Sequence, residues 1–388
     1  MPSAGLLRDG NGNLFGVTAY GGVAQFDGRG TVFELSRHRG GKWTFSNPYI
    51  FCAQDECADG YLPNGGLIAD TSGNLYGVTA YGGSSGYGAV YELSPAGAGW
   101  SYTVLHNFSG SDGAQPSGGL RYVGFAGGAP YDGLSALYGS TQNGGAVSSD
   151  GGTIYQLMPG GGTLTTIHSF SDSDVDYTPF DAVTLDATGT NIYGVSLHKN
   201  GTVFRLTNAG GGNWNKSTLY DFGPSVGDHT YYPFGSLVLD SSGSLIGTTS
   251  FGGPNCHYKK RHGYMRCGGS VFTLTNTGSI WAYSALHEFC AADKHCPDGS
   301  SPYGALFMDT SGSLYGTTGS GGTNGKGVAF RIRPGKKLEV LYDFCSLANC
   351  SDGASPAGSL VSDGKGHLYG VTSGGGANNG GTVFELTP

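Results

Sequence analysis

Apolar positions along the chain come in short alternating runs separated by glycine-rich turns, and no stretch keeps the spacing of an amphipathic helix. The most regular run is NLYGVT at 74–79. Leu75, Tyr76, Val78 and Thr79 favour a pleated, half-buried backbone, whereas Gly77 weakens a strand and has no side chain to pack. The pattern recurs as LFGVT (14–18), LYGST (137–141), IYGVS (192–196), LIGTT (245–249), LYGTT (314–318) and LYGVT (368–372). Seven copies point to one structural cause.

Aligned on this core, the chain repeats every 53 to 69 residues, and each unit carries the same apolar segments in order, here lettered A to D. Strand A follows P-x-[GA]-x-[LV], from PSAGL at Pro2 to PAGSL at Pro356; B is the LYGVT core; C is GTVFEL and its variants, from 30–35 to 381–386. Strand D often opens near a tryptophan and ends in L-[HY]-x-F, as in WSYTVLHNF and LEVLYDF. Turns such as DTSGN before Leu75 predict tight A-to-B hairpins. Seven such units predict an all-β fold, a single-domain seven-bladed β-propeller of four-stranded antiparallel blades spanning 1–388. A linear solenoid is the alternative, but neither terminus shows capping sequence. Each core glycine is expected to leave a slot for an aromatic ring from the adjacent blade, either a D-strand phenylalanine or a C-strand ring such as Phe33. There are seven A, B and C segments but six D segments. The blade from 356 to 388 should therefore have three strands and an open edge available for self-association, its missing strand expected upstream of Met1.

Composition narrows the picture. The 74 glycines without a three-residue period exclude collagen, and 12% aromatics with 12% charged residues exclude a disordered tract. No apolar run is long enough to span a membrane, and a formal charge of -8 argues against a nucleic-acid partner. The eight cysteines fall in local pairs, Cys52 with Cys57, Cys256 with Cys267, Cys290 with Cys296 and Cys345 with Cys350. Zinc would need four converging ligands, whereas these pairs sit in different repeats, so they are read as four disulfides formed in an oxidising compartment. MPSAGLLRDG shows no basic and apolar export segment, and the export signal is expected to have been lost from this sequence.

The repeated G-x-LYG-x-T, GG and GTVFEL elements resemble the GloVer-type tandem repeats of exported bacterial proteins over essentially the whole chain. The order of strand pair, GG turn and outer tryptophan strand is also similar to kelch propellers. The resemblance implies an extracellular or cell-surface location and carries over no catalytic residue.

Function is sought where one repeat departs from its siblings. If A is innermost, the B-to-C and D-to-A loops open on one end, and the main irregularities are read as lying there. Four D-to-A loops carry DG-x-x-P, whereas the third-to-fourth and fourth-to-fifth connections read SDSDVDYTPFD and GDHTYYPF. Asp172, Asp174 and Asp176 alternate as calcium-binding loops do, although a solvated acidic loop fits as well, and no cofactor is otherwise required. Asp181 replaces the small residue of the other six A strands and would need a partner or a cation. His198, Lys199 and His229 could supply a base, an acid or an anion contact. Phe180, Tyr231, Tyr232, Phe234 and Tyr303 could stack on sugar rings, and Lys259, Lys260, Arg261 and Arg266 could attract an anionic polymer. His106, His168 and His287 occupy the L-[HY]-x-F slot and read as structural.

Three functions follow. The first is binding of an extracellular polysaccharide or oligosaccharide on the loop end. The second is a glycosidase or lyase built there from Asp174, Asp176, Asp181 and the histidines. The third is a display or adhesion module without a small ligand.

Overall fold

The computed structural model describes residues 1–388 except 23–27, 148–150, 161, 172–175, 223–229, 253–256, 260–263, 267 and 294; for 230, 231, 257–259 and 264–266 it describes the backbone alone. The strands form seven small antiparallel sheets arranged as a seven-bladed propeller. Blade one pairs Leu7–Arg8, Leu14–Thr18, Thr31–Arg37 and Trp43–Ile50 in order A-B-C-D, and the next five blades repeat that order. Blade seven has three strands, Ala354–Ser362, Leu368–Gly374 and Thr382–Leu386. A two-stranded hairpin, His257–Lys259 with Tyr264–Arg266, stands in the B-to-C loop of blade five. No helix among the described residues is long and apolar enough to cross a membrane.

The core glycine has a more local explanation than a slot for the next blade. Gly16 pairs in register with Phe33 and Gly77 with Tyr91, across strands B and C of one blade. A Cβ on Gly16 would lie 2.5 Å from Phe33 Cζ, and one on Gly77 would lie 2.5 Å from Tyr91 Oη. The slot is therefore filled from within the blade, because cross-strand neighbours are the nearest side chains on a pleated face. The adjacent blade acts one layer further out, through D-strand phenylalanines such as Phe51, which meets the ring of Tyr91 edge-on at 5.1 Å.

The proline and glycine signatures are two halves of one joint between blades. The residue before each of six A-strand prolines (Leu62, Gln115, Thr178, Tyr232, Ser301 and Ser355) has positive φ. Its N–H donates to a carbonyl just ahead of strand C in the preceding blade, as Leu62 does to Arg29 at 2.8 Å and Ser355 to Lys326 at 2.8 Å. The proline then lies against the glycine opening that C strand: a Cβ on Gly201 would come within 2.2 Å of Pro233. The seventh such pair, Gly381 and Pro2, joins the last blade to the first, and Leu6, Leu14 and Phe33 share a core with Tyr369 and Val371. This closure excludes the solenoid.

Backbones of neighbouring A strands approach closely around the axis, so that a Cβ on Gly118 would meet Ala182 N at 2.1 Å and one on Gly358 would meet Gly5 N at 2.4 Å. Strand A is innermost, as its small residues require. Disulfides link Cys52–Cys57, Cys290–Cys296 and Cys345–Cys350, with Cα–Cα separations of 4.1, 4.3 and 4.0 Å, and they fit an oxidising compartment. Cys256 and Cys267 lie outside the described residues. The L-[HY]-x-F slot is structural in four blades: Tyr49, His106, His287 and Tyr342 hold the DG aspartates Asp59, Asp112, Asp298 and Asp352 at 2.8 Å each.

Candidate functional site

The A strands surround an axial cavity of about 320 Å³ on the loop end, lined among others by Ser3, Asn64, Ser117, Phe180, Asp181, Phe234 and Tyr303. The residue after each A-strand proline forms its rim, and reading that position around the ring gives Ser3, Asn64, Ser117, Phe180, Phe234, Tyr303 and Ala357. Small and polar residues occupy one arc, and aromatic residues of blades four to six occupy the other. Phe180 meets Phe234 edge-on at 5.0 Å and Phe234 meets Tyr303 at 5.3 Å, so the three rings form one continuous wall. Edge-to-face packing holds each ring's orientation.

Asp181 stands below this wall. It adopts φ 61°, which L side chains rarely take, at a position where Gly65, Gly118, Gly235 and Gly358 also have positive φ. Its Oδ1 accepts from Ala182 N at 2.7 Å, and its backbone carbonyl accepts from Ser140 Oγ at 2.7 Å. Burial raises its pKa above the ordinary carboxylate range, against the opposing pull of the Arg121 guanidinium. Arg121 occupies a position that is Leu7, Ile68, Thr184, Val238, Phe307 or Val361 in the other blades. It donates to Leu120 O at 3.0 Å and Ser236 Oγ at 3.2 Å, and lies 4.3 Å over the ring of Phe125. Burial lowers its pKa, and Asp181 is the first charge opposing that shift. Adjacent blades thus each replace a small or neutral A-strand residue by a charge, of opposite sign, inside the channel.

Arg121 was not among the residues singled out from the sequence, and neither was Phe125. Arg121 ends strand A of blade three, and Phe125 lies in the insertion that follows it, 122–136, where the siblings have a tight Asx turn such as Asp240 with Ser242 and Ser244. The expectation that the main irregularities lie in the B-to-C and D-to-A loops is therefore corrected. This insertion stands at the opposite end, packs Tyr131 against Tyr76 and Tyr122, and sends Phe125 and Arg121 to the boundary between the mouth and a second, more apolar cavity of about 360 Å³. The signal was legible in the alignment, as the single charged residue at its position and the single long A-to-B connection.

The remaining candidates among the described residues do not join this site. Asp176 is wholly buried, holding Lys216 Nζ and Thr218 Oγ1 at 2.7 Å each, which suits an anchor between blades three and four. Asp172, Asp174, His229 and Arg261 lie outside the described residues, as do the side chains of Tyr231 and Lys259. Among the described residues no group of three or more acidic, histidine or cysteine side chains could hold a metal ion. His198 and Lys199 sit in the B-to-C turn of blade four and do not line the cavity; neither does Tyr232, whose ring meets Phe251 at 5.9 Å. His198 stacks on Tyr177 at 3.6 Å, and burial, helped by the Lys199 charge, lowers its pKa. An NMR titration should find its midpoint below the ordinary value of about 6.5. The stability that its neutral form contributes should be present above that value and fall away as pH drops through the depressed midpoint.

The Gloeobacter/Verrucomicrobia repeat model matches residues 1–133 and 257–388. The chain belongs to that repeat family. No curated protein sequence matches it. Among solved structures, puromycin hydrolase matches with TM-score 0.58 and 14% identity over 100% of this chain and 52% of that one. A puromycin-hydrolyzing peptidase of Mycobacterium tuberculosis matches with TM-score 0.55 and 13% identity, over 99% and 50%. The repeat protein thus spans about half the length of these hydrolases. A putative 6-phosphogluconolactonase from Bacteroides uniformis matches with TM-score 0.53 and 12% identity, over 98% and 95%. At such identities the likeness is one of fold.

Proposed function

We propose that the axial mouth binds an extracellular saccharide. The observation that carries this reading is the half-aromatic rim, in which the Phe180–Phe234–Tyr303 wall faces Ser3, Asn64 and Ser117 across the cavity. Sugar rings have apolar C–H faces that pack on aromatic rings and hydroxyl edges that need donors and acceptors, and the two arcs supply these separately. Below the rim, Asp181 offers an acceptor and Arg121 a donor, a combination suited to neighbouring hydroxyls. Binding is favoured over hydrolysis because Asp181 is the sole carboxylate among the described residues lining the cavity, and glycosidases work with a pair. The family resemblance supports an extracellular setting, and the disulfides agree with it.

Calorimetry against a polysaccharide and oligosaccharide panel, with assay of reducing and unsaturated ends, tests this. The expected result is saturable binding without product, weakened about tenfold by Phe234→Ala. Product release lost with Asp181→Asn would replace binding by catalysis. Silence across the panel, or binding indifferent to Phe234, would overturn the assignment and leave the display module.

A further inference from the structure

The second cavity, of about 360 Å³, meets the mouth at Arg121 and has the size of a small-molecule site. Its wall is mostly hydrocarbon. Leu237, Leu306, Met308 and Leu360 come from the A segments of blades five to seven, and Tyr122 and Phe125 come from the insertion of blade three. Thr184 Oγ1 donates to Leu237 O at 2.6 Å, Tyr122 Oη donates to Ala129 O at 2.7 Å, and Ser236 Oγ accepts from Arg121 at 3.2 Å. These hydroxyls are therefore already engaged, which leaves a polyhydroxylated ligand little to bind.

Arg121 is the single charged residue among the described residues lining this cavity. Its partners among them are uncharged: the Leu120 carbonyl, Ser236 Oγ and the face of Phe125. Asp181 acts on it from the mouth and does not line the second cavity. A guanidinium carries more N–H donors than these bonds use, and its planar fork matches a carboxylate. A positive charge set in a hydrocarbon wall thus calls for one negative charge.

We infer that this cavity binds a small monocarboxylic acid with a hydrocarbon tail, the carboxylate forked on Arg121 and the tail lying among Leu237, Leu306, Met308 and Leu360. A neutral alcohol of the same length would leave the guanidinium unmatched, and a multiply charged anion would carry surplus charge against the aliphatic side chains. A single carboxylate does neither. The site lies beyond the mouth, and its assignment does not depend on what the mouth binds.

Titration calorimetry of the intact protein with octanoate and with octanol tests this. One octanoate should bind per chain, at least about tenfold tighter than octanol, as expected for hydrogen bonds to a charged group. Arg121→Met keeps an unbranched side chain without the charge and should erase that preference. Val238→Phe places a ring in the cavity and should abolish octanoate binding with the melting curve preserved, because Phe307 already holds a ring at the same position of blade six. Absence of binding to the parent protein, or equal affinity for acid and alcohol, would overturn the proposal. So would octanoate binding indifferent to Val238→Phe, or a preference for the acid that survives Arg121→Met.

Discussion

Gly381→Ala is expected to lose about 3 kcal/mol of stability, far more than an alanine usually costs. Gly381 has φ 95°, and an added Cβ would lie 2.2 Å from Thr372 O and 2.9 Å from Pro2 Cδ. Backbone and a proline ring cannot swing aside as a flexible side chain would. The chain must either hold alanine in a conformation it avoids or separate Pro2 from strand C, and the second course opens the ring between blades seven and one. Gly99→Ala is the control, since a Cβ there meets nothing within 4 Å and φ is unremarkable; its effect should stay within about 0.5 kcal/mol. Equilibrium denaturation of both variants decides the matter. Equal stabilities would show that the proline–glycine contact does not hold the ring closed.

Asp181→Gly should do the reverse, raising stability by about 1 to 2 kcal/mol near neutral pH while abolishing saccharide binding. Two costs disappear together: an L residue leaves φ 61°, and a carboxylate leaves the channel. The charge contribution has a defined pH dependence. Because the folded pKa of Asp181 is raised, the native chain holds that proton more tightly than the unfolded chain does. The stabilisation is complete below the ordinary carboxylate value of about 3.9 and is lost as pH rises through the raised folded value. The advantage of Asp181→Gly over the parent should therefore widen across that window, as melting curves at stepped pH will show. A variant that is destabilised at neutral pH, or whose advantage is flat with pH, would mean that the carboxylate is an asset to the fold rather than a cost borne for binding.

Much of the architecture was legible because it is written locally. Alternation in LYGVT sets a strand, DTSGN sets a hairpin, and counting D segments shows that the last blade is one strand short. These features depend on residues a few positions apart, where backbone sterics and pleat leave few choices. The aromatic rim was legible too, because Phe180, Phe234 and Tyr303 share one position in the repeat.

Tertiary structure decided which side chains meet. Whether the glycine slot is filled by its own blade or the next depends on strand register and ring orientation, and Phe33 against Gly16 settles it in favour of the blade itself. Asp176 reads as a solvated acid beside its neighbours in sequence, yet closure of blades three and four buries it on Lys216. Arg121 and Asp181 are sixty positions apart and act on each other only because seven similar blades bring every A strand to one axis. Chain-local rules thus determined the strands, turns and repeat number of this protein. The convergence of charge and aromatic surface at the channel came from ring closure, since the angle between successive blades is set by packing across their faces and not by any one segment.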